Sequence, residues 1–88
     1  MSNPSICIPK VDRNINKKFI YDIFNRHLLG KIKQIDMIPN KKHYRVFIHF
    51  HYWYTNEKSL KVKQILADGL DFKIMYVEPW FWKCINVY

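Results

Sequence analysis

Planar side chains alternate along one short stretch of the sequence. Arg45, Phe47, His49 and His51 occupy every second position, and consecutive side chains on an extended strand point to opposite faces. All four would therefore share one face of a strand. Phenyl, imidazole and guanidinium planes stack on nucleobases, and a stacked base contributes roughly 1–3 kcal/mol. The spacing predicts a strand with an exposed face that binds either nucleobases or the groove of a partner protein.

The same two histidines have a spacing compatible with two metal ligands. A closed site would need two more, and Cys7 or Cys84 would contribute only if the end of the chain folded back. Histidines on a sheet surface are the simpler interpretation. We therefore expect no metal and no cofactor.

Catalytic groups are not evident either. No Ser/His/Asp or Cys/His set is visible in the sequence, and the acidic residues are scattered. The segment after the first predicted strand, residues 9–13, lacks the glycine that a phosphate-binding loop of an acylphosphatase-like enzyme would need. We expect the protein not to be an enzyme.

The net charge of +8 and the isoelectric point near 9.6 favour a polyanionic partner, nucleic acid before an anionic membrane surface. Four lysines occupy positions that can contact phosphates, namely Lys41 and Lys42 in a turn, Lys10 at the end of the first strand and Lys83 near the end of the chain. The alternative is that they are solvated loop lysines, whose abundance partly reflects the codon usage of an AT-rich genome.

Periodicity predicts the elements that position these residues. We expect strands at residues 5–11, 31–38, 44–51 and 70–78, and helices from about 17 to 29 and from 55 to 67. Ile20, Ile23, Phe24 and Leu28 have the spacing of one buried helix face. Gly30 is predicted to end that helix in the left-handed conformation.

This order, βαββαβ, predicts an α+β fold of the ferredoxin-like type. We expect a single domain over residues 1–88, with a four-stranded antiparallel sheet, both helices on one face and the other face bare. Its core would span residues 5–78, followed by an aromatic C-terminal segment at 79–88. That segment either continues as a strand or lies across the bare face, and Trp82 is a candidate for additional stacking surface.

Two short blocks, IxIPxV on the first strand and RVFIHF on the third, resemble the RNA recognition motif (RRM). In that family the strands carry exposed aromatic residues that stack bases. The resemblance assigns Phe47 to one of those positions, while Arg45 and Cys7 stand where the family has aromatic residues. Together with GKIxxIDMIP at 30–39 and EPWFWK at 78–83, the chain resembles small RRM-like proteins of large (nucleocytoplasmic) DNA viruses.

The resulting expectation is binding of single-stranded nucleic acid, RNA more than DNA, with low sequence specificity. The alternatives are a protein interaction module that docks a partner through Trp80, Phe81 and Trp82, and a virion-associated DNA-binding protein that acts by charge. The sequence shows two cysteines, no secretory leader and no apolar run of membrane-spanning length. These features predict a protein inside the cell and without a membrane contact. With the viral resemblance, the expected location is the host cytoplasm or a viral factory, or the virion.

Overall fold

A computed structural model describes residues 4–87. The elements are β1 (Ile6–Asp12), α1 (Lys17–His27), β2 (Gly30–Pro39), β3 (His43–Trp53), α2 (Glu57–Ala67), β4 (Phe72–Val77) and β5 (Trp80–Asn86). The predicted α+β class is confirmed, and each of the four predicted strands and two predicted helices is present. The fifth strand is additional.

The five strands form one antiparallel sheet in the order β2-β3-β1-β5-β4. The prediction of four strands is therefore wrong. The C-terminal segment forms β5 and lies between β1 and β4, where Ile6 pairs with Asn86 and Cys7 with Ile85. This pairing satisfies backbone groups of β1 that would otherwise be left at an open sheet edge. The segment extends the sheet and does not lie across its face.

Each helix begins after an asparagine whose side chain accepts a backbone hydrogen bond. Asn16 accepts from the Phe19 amide at 2.8 Å, and Asn56 accepts from the Ser59 amide at 2.8 Å. The helices then bury apolar residues against one face of the sheet. The largest fully buried apolar side chains of the resulting core are Ile6, Ile8, Ile20, Phe24, Leu29, Ile48, Leu66 and Ile74. Trp82 and Cys84 belong to the same core, so the core continues past the predicted boundary at residue 78.

The end of α1 differs from the prediction. Leu28, not Gly30, takes the left-handed conformation, with φ of 53°, and its amide donates to the Asn25 carbonyl at 3.3 Å. Leu28 is consequently 58% exposed and not buried. Gly30 begins β2, where an added Cβ would overlap the Tyr52 carbonyl oxygen and lie 2.9 Å from the Trp53 Cα. Glycine is required there because two backbones approach closely, not because of its φ angle.

Candidate functional site on the open sheet face

The face of the sheet that points away from the helices carries the residues that alternate with the core positions. We call it the open face. Its residues are Gln34, Asp36 and Ile38 of β2; Arg45, Phe47 and His49 of β3; Cys7 and Pro9 of β1; Phe81, Lys83 and Ile85 of β5; and Lys73, Met75 and Val77 of β4. Helices and strands share one core on the opposite face. The open face is thus available to a ligand across all five strands.

Phe47 lies near the middle of this face. It pairs with Asp36 on one side and with Cys7 on the other, and Cys7 pairs in turn with Ile85. The Phe47 side chain is partly exposed, whereas Cys7 is only 5% exposed. Burial raises the pKa of the Cys7 thiol, and the nearby positive charge of Arg45 opposes that effect. Arg45 itself is exposed and lies two residues from Phe47 on the same face.

His49 is held by hydrogen bonds on both ring nitrogens. The Ser5 Oγ lies 2.8 Å from Nδ1, and Nε2 lies 3.1 Å from the Asp36 Oδ2. The other oxygen of Asp36 accepts from the Gln34 Nε2 at 2.5 Å. The Gln34 bond, followed by the contact with His49, lowers the pKa of the Asp36 carboxyl below its ordinary value. These contacts fix the orientation of His49 and Asp36 beside Phe47.

Ser5, His49 and Asp36 are also the residue types of a nucleophile, a base and an acid in hydrogen-bonding order. The sequence does not reveal this set because its contacts join residues 44 and 13 positions apart. Acyl transfer further requires donors aimed at an oxyanion and a place for the substrate beside the nucleophile. Two concavities of the surface, near Lys17 and near Lys10, are lined by other residues. We therefore interpret the set as a structural network.

A second group of open-face residues surrounds Phe81 on β5. Lys10, Lys83, Pro9 and Ile85 line a concavity of about 480 Å³ together with Phe81. Phe81 is 47% exposed, so its ring is accessible from that concavity. The structure therefore brings two of the predicted phosphate-binding lysines together around an aromatic ring.

Two of the lysines near this concavity, Lys73 and Lys83, already have a neighbour. The Lys73 Nζ lies 4.8 Å from the centre of the Phe81 ring, a cation–π distance. The Lys83 Nζ lies 3.3 Å from the Asp71 carboxylate. Both members of that pair are well exposed, and exposed pairs contribute little free energy. Lys83 can therefore exchange this carboxylate for another anion at low cost.

Lys41 and Lys42 are exposed in the turn between β2 and β3. Arg13 anchors the turn to the end of β1 by donating to the Asn40 carbonyl at 2.7 Å. Because Asp12 pairs with His43, the turn lies at the same end of the sheet as Lys10. The lysines of the turn are thus beside the open face and not on it.

Trp82 is not available to a ligand at this face. It is 3% exposed and lies in the core, stacked on the Phe24 ring at 6.3 Å and on the Tyr76 ring at 4.3 Å between centroids. Its assignment as a nucleic-acid-binding residue is therefore wrong, because β5 points Trp82 and Cys84 into the core. The aromatic residue beside Lys83 that β5 exposes on the open face is Phe81. Strand alternation already separated these two residues, and the missing information was which side faced the helices.

Comparison with known protein-family models, with curated proteins and with solved structures finds no match for this chain. Within residues 4–87, no group of three or more His, Cys, Asp or Glu side chains is placed to hold a metal ion. Among the same residues, no helix has both the length and the apolar character needed to cross a membrane.

Proposed function

We propose that the protein binds single-stranded nucleic acid, RNA in preference to DNA, across the open face and with little sequence specificity overall. The observation that carries this proposal is the position of Phe47, a partly exposed ring in the middle of a sheet face that neither helix within residues 4–87 covers. Sequence-tolerant binding of single strands combines aromatic stacking with cations along the backbone. Phe47 and Arg45 supply the stacking planes, and His49 adds contact surface beside them.

Phe81 extends the proposed path of the strand. Phe47 pairs with Cys7, and Cys7 pairs with Ile85, so Ile85 is the residue of β5 that lies level with Phe47. Phe81 lies on the same strand, four residues before Ile85 and two strands away from Phe47. Strand spacings of about 4.8 Å and residue rises of about 3.3 Å place the two rings roughly 16 Å apart. Several nucleotides can span that distance. The concavity at Phe81 would then receive a second base.

Lysines on and beside this path would neutralise phosphates. Lys10 and Lys83 line the concavity at Phe81, and Lys41 and Lys42 lie at the same end of the sheet. The net charge of +8 supports association with a polyanion at any of these positions. Because phosphate contacts release counterions, this part of the affinity falls as salt concentration rises.

We also propose that the fold is an RRM-like variant of the ferredoxin-like arrangement, with β5 inserted beside β1. The support is the βαββαβ order of the first six elements and the placement of both helices against one face. The resemblance to viral RRM-like proteins further supports a location in the host cytoplasm, a viral factory or the virion.

The experiment is fluorescence anisotropy of a labelled, short, mixed-sequence RNA with the intact protein at physiological salt. Phe47→Ala should weaken binding about 5- to 150-fold, the equivalent of losing one stacked base. Lys41→Ala/Lys42→Ala should weaken binding and reduce the slope of log affinity against log salt by about 1.4, the value for two single-strand phosphate contacts. Tyr21→Ala on α1 is the matched aromatic control, since Tyr21 is exposed on the helical side.

Three results would contradict this proposal. Absence of RNA binding would exclude it, and equal losses for Phe47→Ala and Tyr21→Ala would exclude stacking on the open face. Binding that depends on the lysines and on salt, but not on Phe47, would instead support a protein that holds viral DNA by charge. Circular dichroism of each variant must match that of the unmodified protein before affinities are compared.

A protein interaction module is the second candidate, and one observation favours it. Exposed apolar side chains cluster around the hairpin of β4 and β5, namely Met75, Val77, Trp80 and Phe81. Trp80 is 65% exposed, and β4 is an edge strand whose outer backbone groups can pair with another chain. Trp82 does not contribute to this surface. This candidate predicts that Trp80→Ala leaves RNA binding unchanged and weakens capture of a protein partner.

A further inference from the structure

We propose that Asp36 recognises a guanine base stacked on Phe47, which gives the open face a preference for guanine at one position. This inference rests on the proposed function, because it assigns a specificity to the same surface.

Asp36 is the β2 neighbour of Phe47. The two residues are direct partners in the β2–β3 pairing, and side chains of directly opposite residues lie about 5 Å apart at Cβ. A base stacked on the Phe47 ring therefore has one edge close to the Asp36 carboxylate. That carboxylate is 40% exposed, so it is accessible from the side of the ligand.

The Asp36 carboxylate is held in place and ready to accept further hydrogen bonds. Oδ1 accepts from Gln34 and Oδ2 contacts His49, which leaves a second acceptor position on each oxygen. The Gln34 and His49 contacts also lower the pKa of this carboxyl. At neutral pH it is ionised and can only accept, so its recognition chemistry requires donors on the ligand.

Only guanine presents two adjacent donors on its Watson–Crick edge, N1–H and the N2 amino group. These match the two oxygens of a carboxylate in a bidentate, charge-assisted geometry. Adenine, cytosine and uracil each place an acceptor opposite one of the two oxygens, which repels a carboxylate. Single-stranded bases are recognised through such edges once they are splayed and stacked.

The negative charge of Asp36 also reduces the attraction of the open face for phosphates. The surrounding surface is basic, with Arg45 next to Phe47 and Lys83 two strands away. A carboxylate at Asp36 repels phosphates and therefore weakens binding that depends on charge alone. The Asp36 carboxylate instead contributes discrimination among the bases.

The test uses four labelled RNAs that are oligouridine except for one central base, which is G, A, C or U. The unmodified protein should bind the guanine RNA about tenfold more tightly than the others, within the range for one bidentate base contact. Asp36→Asn should lose this preference and bind oligouridine as tightly as the unmodified protein or more tightly, since a negative charge is removed. Asp22→Asn is the matched charge control, because Asp22 lies on α1 in an exposed pair with Lys18; it should keep the preference.

The outcomes separate the two proposals. Equal affinity of the unmodified protein for all four RNAs, or a guanine preference that persists in Asp36→Asn, would overturn the role of Asp36. In both cases the loss caused by Phe47→Ala would still support nucleic-acid binding. If none of the four RNAs binds, the proposed function and this inference are both overturned.

Discussion

The two faces of the sheet differ in how far their side chains are exposed, although alternate residues of the same strands form both faces. On β3, Val46 and Ile48 are fully buried while Arg45 and Phe47 reach the other side. On β5, Trp82 is in the core and its neighbour Phe81 is exposed on the open face. Each strand thus supplies an aromatic ring or apolar side chain to both faces. The position of a residue within the two-residue period of its strand, and not its type, therefore decides which face of the sheet it lies on.

This difference implies that stability and binding depend on separate sets of side chains. Core residues contribute through apolar area removed from water and through close packing. Exposed open-face residues such as Phe81 remain in contact with water, so their removal exposes little new surface. Substitutions at neighbouring positions of one strand should therefore separate the two properties.

The largest expected effect is on stability. Trp82→Ala removes a buried indole that stacks on Phe24 and Tyr76, and we expect the free energy of unfolding to fall by about 3–5 kcal/mol. Phe81→Ala, one position earlier, should lower it by less than about 1 kcal/mol, as is usual for surface positions. Urea denaturation followed by circular dichroism measures both values. Comparable losses for the two variants would show that the faces are not separate.

Thiol reactivity provides an intermediate effect, because one cysteine lies on each face. Cys84 is fully buried in the core, and burial strongly raises the pKa of its thiol. Cys7 lies between Phe47 and Ile85 on the open face, and burial raises the pKa of its thiol as well. In single-cysteine variants, a disulfide reagent should modify Cys7 faster than Cys84, since Cys84 is fully buried in the core and burial raises the pKa of its thiol strongly.

A further substitution makes this measurement specific to the open face. Ile85→Ala should uncover Cys7 and raise its modification rate, while the rate at Cys84 stays unchanged. Bound RNA should slow the modification of Cys7 alone. A faster reaction at Cys84 than at Cys7 would contradict the assignment of the two thiols to opposite faces.

The smallest effect concerns the ionisation of Asp36. Its pKa lies below the ordinary value chiefly because Gln34 donates to the carboxylate. Gln34→Ala and His49→Ala should each raise that pKa toward the ordinary value, because each removes a contact that favours the ionised carboxylate. Carbon-detected NMR titration of the side-chain carboxyl measures both shifts. An unchanged pKa in either variant would contradict the contribution of that contact.

The same pKa has a consequence for stability. Since the pKa of Asp36 is lower in the folded state, the ionised carboxylate stabilises the folded protein above the ordinary pKa of an aspartate. This contribution is lost as the pH falls through the lowered, folded-state pKa. Asp36→Asn should therefore lower the free energy of unfolding at neutral pH, where this contribution is present, and change it little below the folded-state pKa of Asp36, so that the acid side of the stability profile becomes less steep.

The sequence predicted most of the local structure because alternation and helical spacing are local signals. Ile20, Ile23 and Phe24 are buried on one face of α1, as their spacing predicted, and each predicted strand and helix is present. The pairing partner of β5 depends on which free edge it meets in three dimensions, so four strands were predicted instead of five. The close approach of Gly30 to β3 likewise depends on tertiary packing.

The candidate site was predictable in part. Alternation placed Arg45, Phe47 and His49 on one face, but it did not show that Phe81 and not Trp82 joins them from β5. Nor did it show that Ser5 and Asp36 would hold His49, since these contacts join distant segments. Nucleic-acid binding itself stays a prediction.

Binding of single-stranded nucleic acid at the open face is tested most directly by titrating isotope-labelled protein with single-stranded RNA, followed by two-dimensional NMR. We expect chemical-shift changes at the amides and side chains of residues 45–49 and 81–85 and at the turn lysines Lys41 and Lys42. The exposed Tyr21 on α1 and Leu60 on α2 should remain unchanged. Shift changes confined to the helices, or none at RNA concentrations well above that of the protein, would contradict binding at the open face.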